Sequence, residues 1–253
     1  MIDSHAHLTD RRYNDVAAII ERYLAAGGEI LVDIGYDEAT SKGARDNSKK
    51  FDCVYFTCGF HPSEEAKDND LSVLRTLSRS EKCVAIGEIG LDYHYENVIK
   101  ARQEDLFVRQ LFIAHEEKLP VVIHSRDASG DMLRILKEHK DLLSDGFLMH
   151  CYSESAEQAK NYLDLGAYFA FGGTITFKNA KKEDVVRSIP LDRLLAETDS
   201  PYLAPEPKRG TLNEPENVRF VYKKLSVITG VSFEELERIT RDNFLRLFKK
   251  IVL

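Results

Sequence analysis

The chain has no C-x-x-C pair, no apolar run approaching 18 residues, no G-x-G-x-x-G turn and no surplus of basic residues. Each absence removes a class of protein. Without paired cysteines, a structural zinc ribbon or a redox motif is not expected. Of the four cysteines, Cys53, Cys58, Cys83 and Cys151, three sit in or beside the apolar runs FDCVYFTC and KCVAIG. Free cysteine there behaves as a small buried hydrophobe, and such thiols fit a reducing cytoplasm. With no long apolar run and no basic-then-apolar leader, neither a membrane span nor a signal peptide is expected. The missing glycine-rich turn after the first strand argues against a doubly wound dinucleotide fold. The formal net charge is -7. Any polyanionic substrate must therefore meet local positive charge or metal ions against an unfavourable global field.

What remains is an ordinary globular composition. The 253 residues are 43% hydrophobic and 30% charged, enough to bury about 70–75% of the unfolded surface around one core. One domain spanning 1–253 is the expectation, with no obligate protein partner evident. Eight short apolar runs alternate with amphipathic stretches: MID, EILVDIG, CVYFTCG, CVAIGEIG, LPVVIHS, GFLMHCY, AYFAFGG and RLLAETD. Near-continuous apolar runs of this length suggest strands buried on both faces, hence a parallel sheet. Between them, Val108, Leu111, Phe112 and Leu119 form one helical stripe, on which His115 would pack. Leu236, Ile239, Phe244, Leu247 and Phe248 form another. Gly27-Gly28, Gly166 and Gly230 read as helix stops. Pro201 to Pro215 reads as a loop before a terminal helix pair. Eight strands alternating with helices over this length predict an α/β fold of the (β/α)8 TIM-barrel type, with an open doubly wound sheet as the runner-up.

The opening MIDSHAHLTD puts His5 and His7 one residue apart. On a strand, such residues share a face and can clamp one cation. The same placement recurs. The fourth run ends in Glu88, with Asp92 four residues on. The fifth ends in His124, the sixth in His150, and the eighth in Glu197 and Asp199, while Gly59-Phe60-His61-Pro62 follows the third. In a barrel these ends converge on one rim, where active sites are built. His5, His7, Glu88, His124, His150 and Asp199 are thus candidate ligands of one metal-dependent hydrolase site. Four imidazoles and two carboxylates suit Zn, Mn, Ni, Co or Fe(II) better than Ca, and Mg is usually poorer in histidine. Six ligands exceed the needs of a lone catalytic zinc and match two divalent cations about 3.5–4 Å apart. Glu88 is the candidate bridge, with His5, His7 and Asp199 on one cation and His124 and His150 on the other. Water bound there would have a pKa near 7 and become the nucleophile, with Asp199 taking its proton.

With these residues placed, the chain resembles the TatD family of metal-dependent deoxyribonucleases, within the amidohydrolase-like barrels. The matching stretches are IDSHAHL, GFHP, GEIGLDY, LPVVIHSRDA, HCYS, TFKNA, ETDSPYLAP and RGTLNEP, from Ile2 to Pro215, with DNFLRLF near the end. The resemblance implies that the six residues named above are metal ligands. It implies that His61 contacts the substrate phosphate or leaving group. It also implies cleavage of DNA ends in a 3'-to-5' direction with a divalent metal such as Mg. The chain departs from the family pattern in two places. Lys208, Thr211 and Leu212 change the common HRGKRNEP to KRGTLNEP, and Glu154 follows HCYS where glycine is common; a carboxylate there would repel a phosphate.

Further candidates surround the site. Arg126 could meet a phosphate or pair with Asp127. Arg209 lies in the eighth loop, where barrels often bind phosphate. Asp92 could orient a ligand histidine from behind. His94 and Tyr95 could stack on a base, and Phe177 and Lys178 could line the rim. His139, Lys181 and Lys182 read as solvated. Three functions compete: a phosphodiesterase acting on DNA or another nucleotide-containing substrate, a hydrolase of a carboxylic amide, lactone or aminoacyl ester, and a barrel that keeps metal only for stability.

Overall fold

The computed structural model describes residues 1–65 and 69–251; the last two residues of the expected 1–253 unit lie outside the described residues. Each apolar run forms a strand: β1 (Ile2–Ala6), β2 (Ile30–Ile34), β3 (Val54–Cys58), β4 (Cys83–Asp92), β5 (Val121–Arg126), β6 (Phe147–Met149), β7 (Ala167–Phe171) and β8 (Leu194–Ala196). They pair in parallel in chain order. A parallel bridge between Ala6 and Ser200 links β1 to the segment after β8. The result is a nearly closed (β/α)8 barrel. Main-chain groups on these strands need partners, and parallel pairing on both sides supplies them while both faces stay dry.

Nine α-helices occur among the described residues. They are α1 (Val16–Ala25), α2 (Glu38–Lys50), α3 (Ser72–Ser78), α4 (Lys100–Glu117), α5 (Ser129–Glu138), α6 (Ala156–Leu163), α7 (Glu183–Ser188), α8 (Val218–Thr229) and α9 (Phe233–Leu247). Asp15, Asp37, Ser155 and Ser232 cap their helices by accepting from main-chain N–H groups. Gly230 ends α8 in the left-handed region, φ 73°, which suits a residue without Cβ. No helix among the described residues is long and apolar enough to cross a membrane.

A core cluster joins Ile2, Val32, Val84, Val122, Leu148 and Leu195 to Phe244, Leu247 and Phe248 at the end of α9. The α9 stripe therefore packs as expected, with Ile239 only partly buried. The α4 stripe does so only in part: Leu111 and Leu119 are buried and Val108 packs against the core. Phe112 is 47% exposed and His115 is exposed rather than packed. The buried face is instead Gln103, Leu106, Phe107, Gln110, Leu111, Ile113 and Ala114. Two buried glutamines shift the apparent phase of the apolar pattern, because each has a main-chain segment to hold.

Candidate active site

Glu88 lies within β4, opposite the tips of β1, β5 and β6, and its two carboxylate oxygens face different ways. Oε2 is 3.6 Å from His5 Nε2 and 3.8 Å from His7 Nε2. Oε1 is 2.9 Å from His124 Nδ1 and 2.8 Å from His150 Nε2. Asp199 Oδ1 approaches His7 Nε2 at 3.4 Å and His5 Nε2 at 3.8 Å. All six residues singled out from strand ends thus meet at one mouth of the barrel. Groups able to hold a cation form around His5, His7 and Asp199 and around His5, Glu88 and His150. A third joins His61, Asp92 and His124.

The first side of the cluster is positioned by main chain. His7 N donates to Ser200 O at 2.7 Å and Asp199 N to His5 O at 2.9 Å. Beneath them Asp3, wholly buried, accepts from Thr198 N at 2.9 Å and lies 2.6 Å from Thr198 Oγ1. Burial pushes the Asp3 carboxyl up to about 8, against the pull of Thr198. Asp33, also buried and pushed up to about 7, accepts from Leu8 N just after His7 and from Asn47. Neither acid was singled out from sequence; each is a lone carboxylate inside an apolar run, a signal that could have marked it.

The second side is positioned by side chains. Asp92 Oδ2 is 3.2 Å from His124 Nε2, and Glu197 Oε1 lies 3.5 Å from His150 Nδ1 while accepting from Cys151 N at 2.7 Å. The two α4 glutamines hold the next residues out. Gln103 makes a pair of 2.9 Å hydrogen bonds to the main chain of Asp92. Gln110 accepts from Phe60 N at 2.7 Å and donates to Phe60 O at 2.9 Å, fixing the residue before His61. Gly90 faces His124 across the β4–β5 pairing, where an added Cβ would stand 2.0 Å from His124 O.

Electrostatics follow from this crowding. Burial would raise Glu88, but His150, His124 and His5 hold it well below the carboxylate range. Asp199 is likewise held low, by His7 and the other imidazoles against burial. Burial would strip protons from the histidines. Asp92 and Glu88 nevertheless raise His124, Glu88 and Glu197 raise His150 well above its usual value, and Asp199 and Glu88 raise His7. His5 is lowered by burial and by His150. The chamber thus holds ionised carboxylates and draws positive charge to itself. Nδ1 of His5, of His7 and of His150 is buried without a hydrogen-bond partner. Imidazole and carboxylate donors in a charge-seeking chamber, with no cysteine in any of the three groups, fit divalent cations.

His61 differs from the others. Its Nδ1 accepts from Ser63 N at 3.1 Å, so the neutral ring carries its hydrogen on Nε2, 3.9 Å from Glu88 Oε1. Burial lowers it to about 4, with Glu88 opposing.

The remaining candidates ring the mouth. Arg126 does not pair with Asp127, which contacts His94 Nδ1 at 2.9 Å instead; Arg126 lies over the exposed Tyr95 ring at 5.9 Å. Arg209 lies over Phe177 at 4.4 Å. Neither arginine has a carboxylate partner among the described residues. Lys182 precedes α7 and bonds Ser153 O. Glu154 is engaged by partners within the chain. Its carboxylate accepts from Ser125 Oγ at 2.8 Å and contacts Tyr162 OH at 3.2 Å, and burial raises it toward neutrality. It is bound into the wall between β5 and α6.

A parallel barrel whose strand tips gather histidines and acids around one carboxylate defines a metal-dependent hydrolase. Comparison with known proteins gives the family. The model of the TatD related DNase family matches residues 2–249, and the chain belongs to that family. It is 42% identical to the metal-dependent hydrolase YabD of Bacillus subtilis, over 98% of this chain and 99% of that one. It is equally similar to the metal-dependent hydrolase YcfH of Escherichia coli, over 98% and 95%. The crystal structure of YJJV, a TatD homologue from Escherichia coli, superposes with a TM-score of 0.93 at 30% identity, covering 98% of both chains.

Proposed function

We propose that the chain is a 3'-to-5' deoxyribonuclease that hydrolyses phosphodiester bonds with two divalent cations. The carrying observation is the division of Glu88: one oxygen faces His5 and His7, the other His124 and His150. A carboxylate so divided suits a bridge, with Asp199 completing the first set of ligands. The cations would supply an activated water and neutralise charge gathering on phosphorus. The rest falls to the chain. Asp199 takes the proton from the attacking water; both histidines approach its Oδ1, which leaves Oδ2 for that proton. His61, lowered by burial to about 4 and so neutral near pH 7, donates a hydrogen bond from Nε2 to a phosphate or leaving-group oxygen. Asp92 turns Nδ1 of His124 inward by engaging its Nε2. Arg126 and Arg209, without carboxylate partners among the described residues, meet flanking phosphates.

DNA as substrate rests on the description of the matching family and on these two arginines in a chain of net charge -7. The test is chelator-stripped protein restored with Mg, Mn, Co or Zn in turn, on 3'-labelled single-stranded DNA and on a panel of lactones, amides and aminoacyl esters. Stepwise release of mononucleotides from the 3' end is expected. Intact DNA with every metal, beside cleaved esters, would move the chemistry from phosphorus to carbon.

A further inference from the structure

Two tyrosines that no role above uses stand against His7. Tyr36, after β2, and Tyr202, after β8, each set a ring at right angles to the His7 imidazole, with centroids 5.6 and 5.9 Å away. Tyr36 is half-buried and Tyr202 is 44% exposed. Arg12 lies over the Tyr202 ring at 4.3 Å, but its charge is met by Asp10 through two contacts of 2.8 Å. Leu203 and Leu212, on the same loop as Tyr202, are 39% and 42% exposed. Asn213, wholly buried, pins that loop by donating to Thr198 O at 3.0 Å and Tyr202 O at 2.7 Å. The Tyr202 main chain is therefore held in place beside the reaction centre, with Arg12 over one face of its ring.

From this we infer that Tyr36 and Tyr202 form a stacking site for the base of the 3'-terminal nucleotide. The inference deepens the deoxyribonuclease reading and rests on it. An aromatic surface whose neighbouring guanidinium is already neutralised selects a flat, uncharged group rather than a phosphate. Phosphates need free cations, and Arg126, two residues past His124, has no carboxylate partner among the described residues. A strand whose phosphates run past His124 and Arg126 brings its end, and so its last base, to the His7 side. Every base has a π-face, so the site would tolerate all four.

The test compares two oligonucleotides, one ending in an ordinary 3' nucleotide and one ending in an abasic tetrahydrofuran residue. For the metal-loaded protein, KM is expected to be about tenfold higher for the abasic end. Tyr202→Ala should abolish that difference by raising KM for the ordinary end to that of the abasic end, and Tyr202→Phe should keep it. A readout independent of turnover uses 2-aminopurine behind a cleavage-resistant phosphorothioate linkage. Its fluorescence should be quenched on binding when it is the 3'-terminal base and not when it lies four nucleotides inward. Equal KM values for the two ends, or quenching only at the inner position, would overturn the stacking site while leaving the nuclease reading intact. Failure to cleave any DNA with any metal would defeat the nuclease reading itself.

Discussion

The two sides of the chamber are built differently. His5, His7 and Asp199 are placed by closure of the barrel: two main-chain hydrogen bonds to the other strand's continuation, the Ala6–Ser200 bridge, and Asp3 tied to Thr198. Nδ1 of each histidine there has no partner. His124 is instead hydrogen-bonded to Asp92, itself gripped by Gln103, while His150 has Glu197 at 3.5 Å as an ionic neighbour and its Nδ1, too, lacks a hydrogen bond. On the first side, ligand geometry and fold stability are one property. On the second, an outer acid can be altered with the barrel intact, so affinity can be tuned separately from stability. Glu88 belongs to both sides.

Substitutions should separate these regimes. The largest effect falls where they meet: Glu88→Gln is expected to lower kcat/KM by about 10³-fold or more and to weaken both cations together, as read by metal content and turnover. Loss of only one cation equivalent would show the two sides to be independent. Next, Asp92→Asn and Glu197→Gln should each cost about 10- to 100-fold in metal affinity or activity. Their melting temperatures without metal should stay near the parent's. Asp3→Ala should do the converse, destabilising the fold by about 1–3 kcal/mol in denaturant titrations through the unpaired Thr198.

The acid at Asp3 also gives a pH dependence. Its folded value, about 8, lies above the unfolded value near 3.9. The folded state therefore binds the extra proton, and the contribution of Asp3 to stability is full below about pH 4 and is lost as pH rises through about 8. Asp3→Asn, which keeps the shape without the titration, should flatten the fall in melting temperature of the metal-free protein between pH 5 and 8. On the other side, His150 and His124 hold protons above their usual range, so cation binding must displace them. Affinity should climb with pH through neutrality, with proton release seen as a buffer-dependent heat in calorimetry. The smallest effect is at Glu154, where Glu154→Gln should change activity on DNA less than about twofold, because its carboxylate serves Ser125 and Tyr162.

The strands and the ligand set were legible because two simple rules coincide in this fold. Strands buried on both faces must be apolar throughout, so a polar side chain at the end of such a run stands out, and barrel geometry sends those ends to one rim. The supporting residues were less legible because their roles are tertiary. Gln103 and Gln110 are buried to hold Asp92 and Phe60, a role that apolar periodicity does not reveal, and Phe112 and His115 face outward instead of packing. Glu154 sits one turn from His150 in sequence, but Ser125 and Tyr162, from two other elements, decide where it points. Tyr36 and Tyr202 lie 166 positions apart in the numbering, and only the β1–β8 closure brings both to His7.

The central claim is that Glu88 stands between two cations. Anomalous diffraction from crystals soaked in Mn addresses it directly. Two peaks are expected about 3.5–4 Å apart, one bounded by His5, His7 and Asp199 and the other by His124 and His150, with the Glu88 carboxylate between them. A lone peak enclosed by His61, Asp92 and His124, with Glu88 contacting no metal, would contradict it.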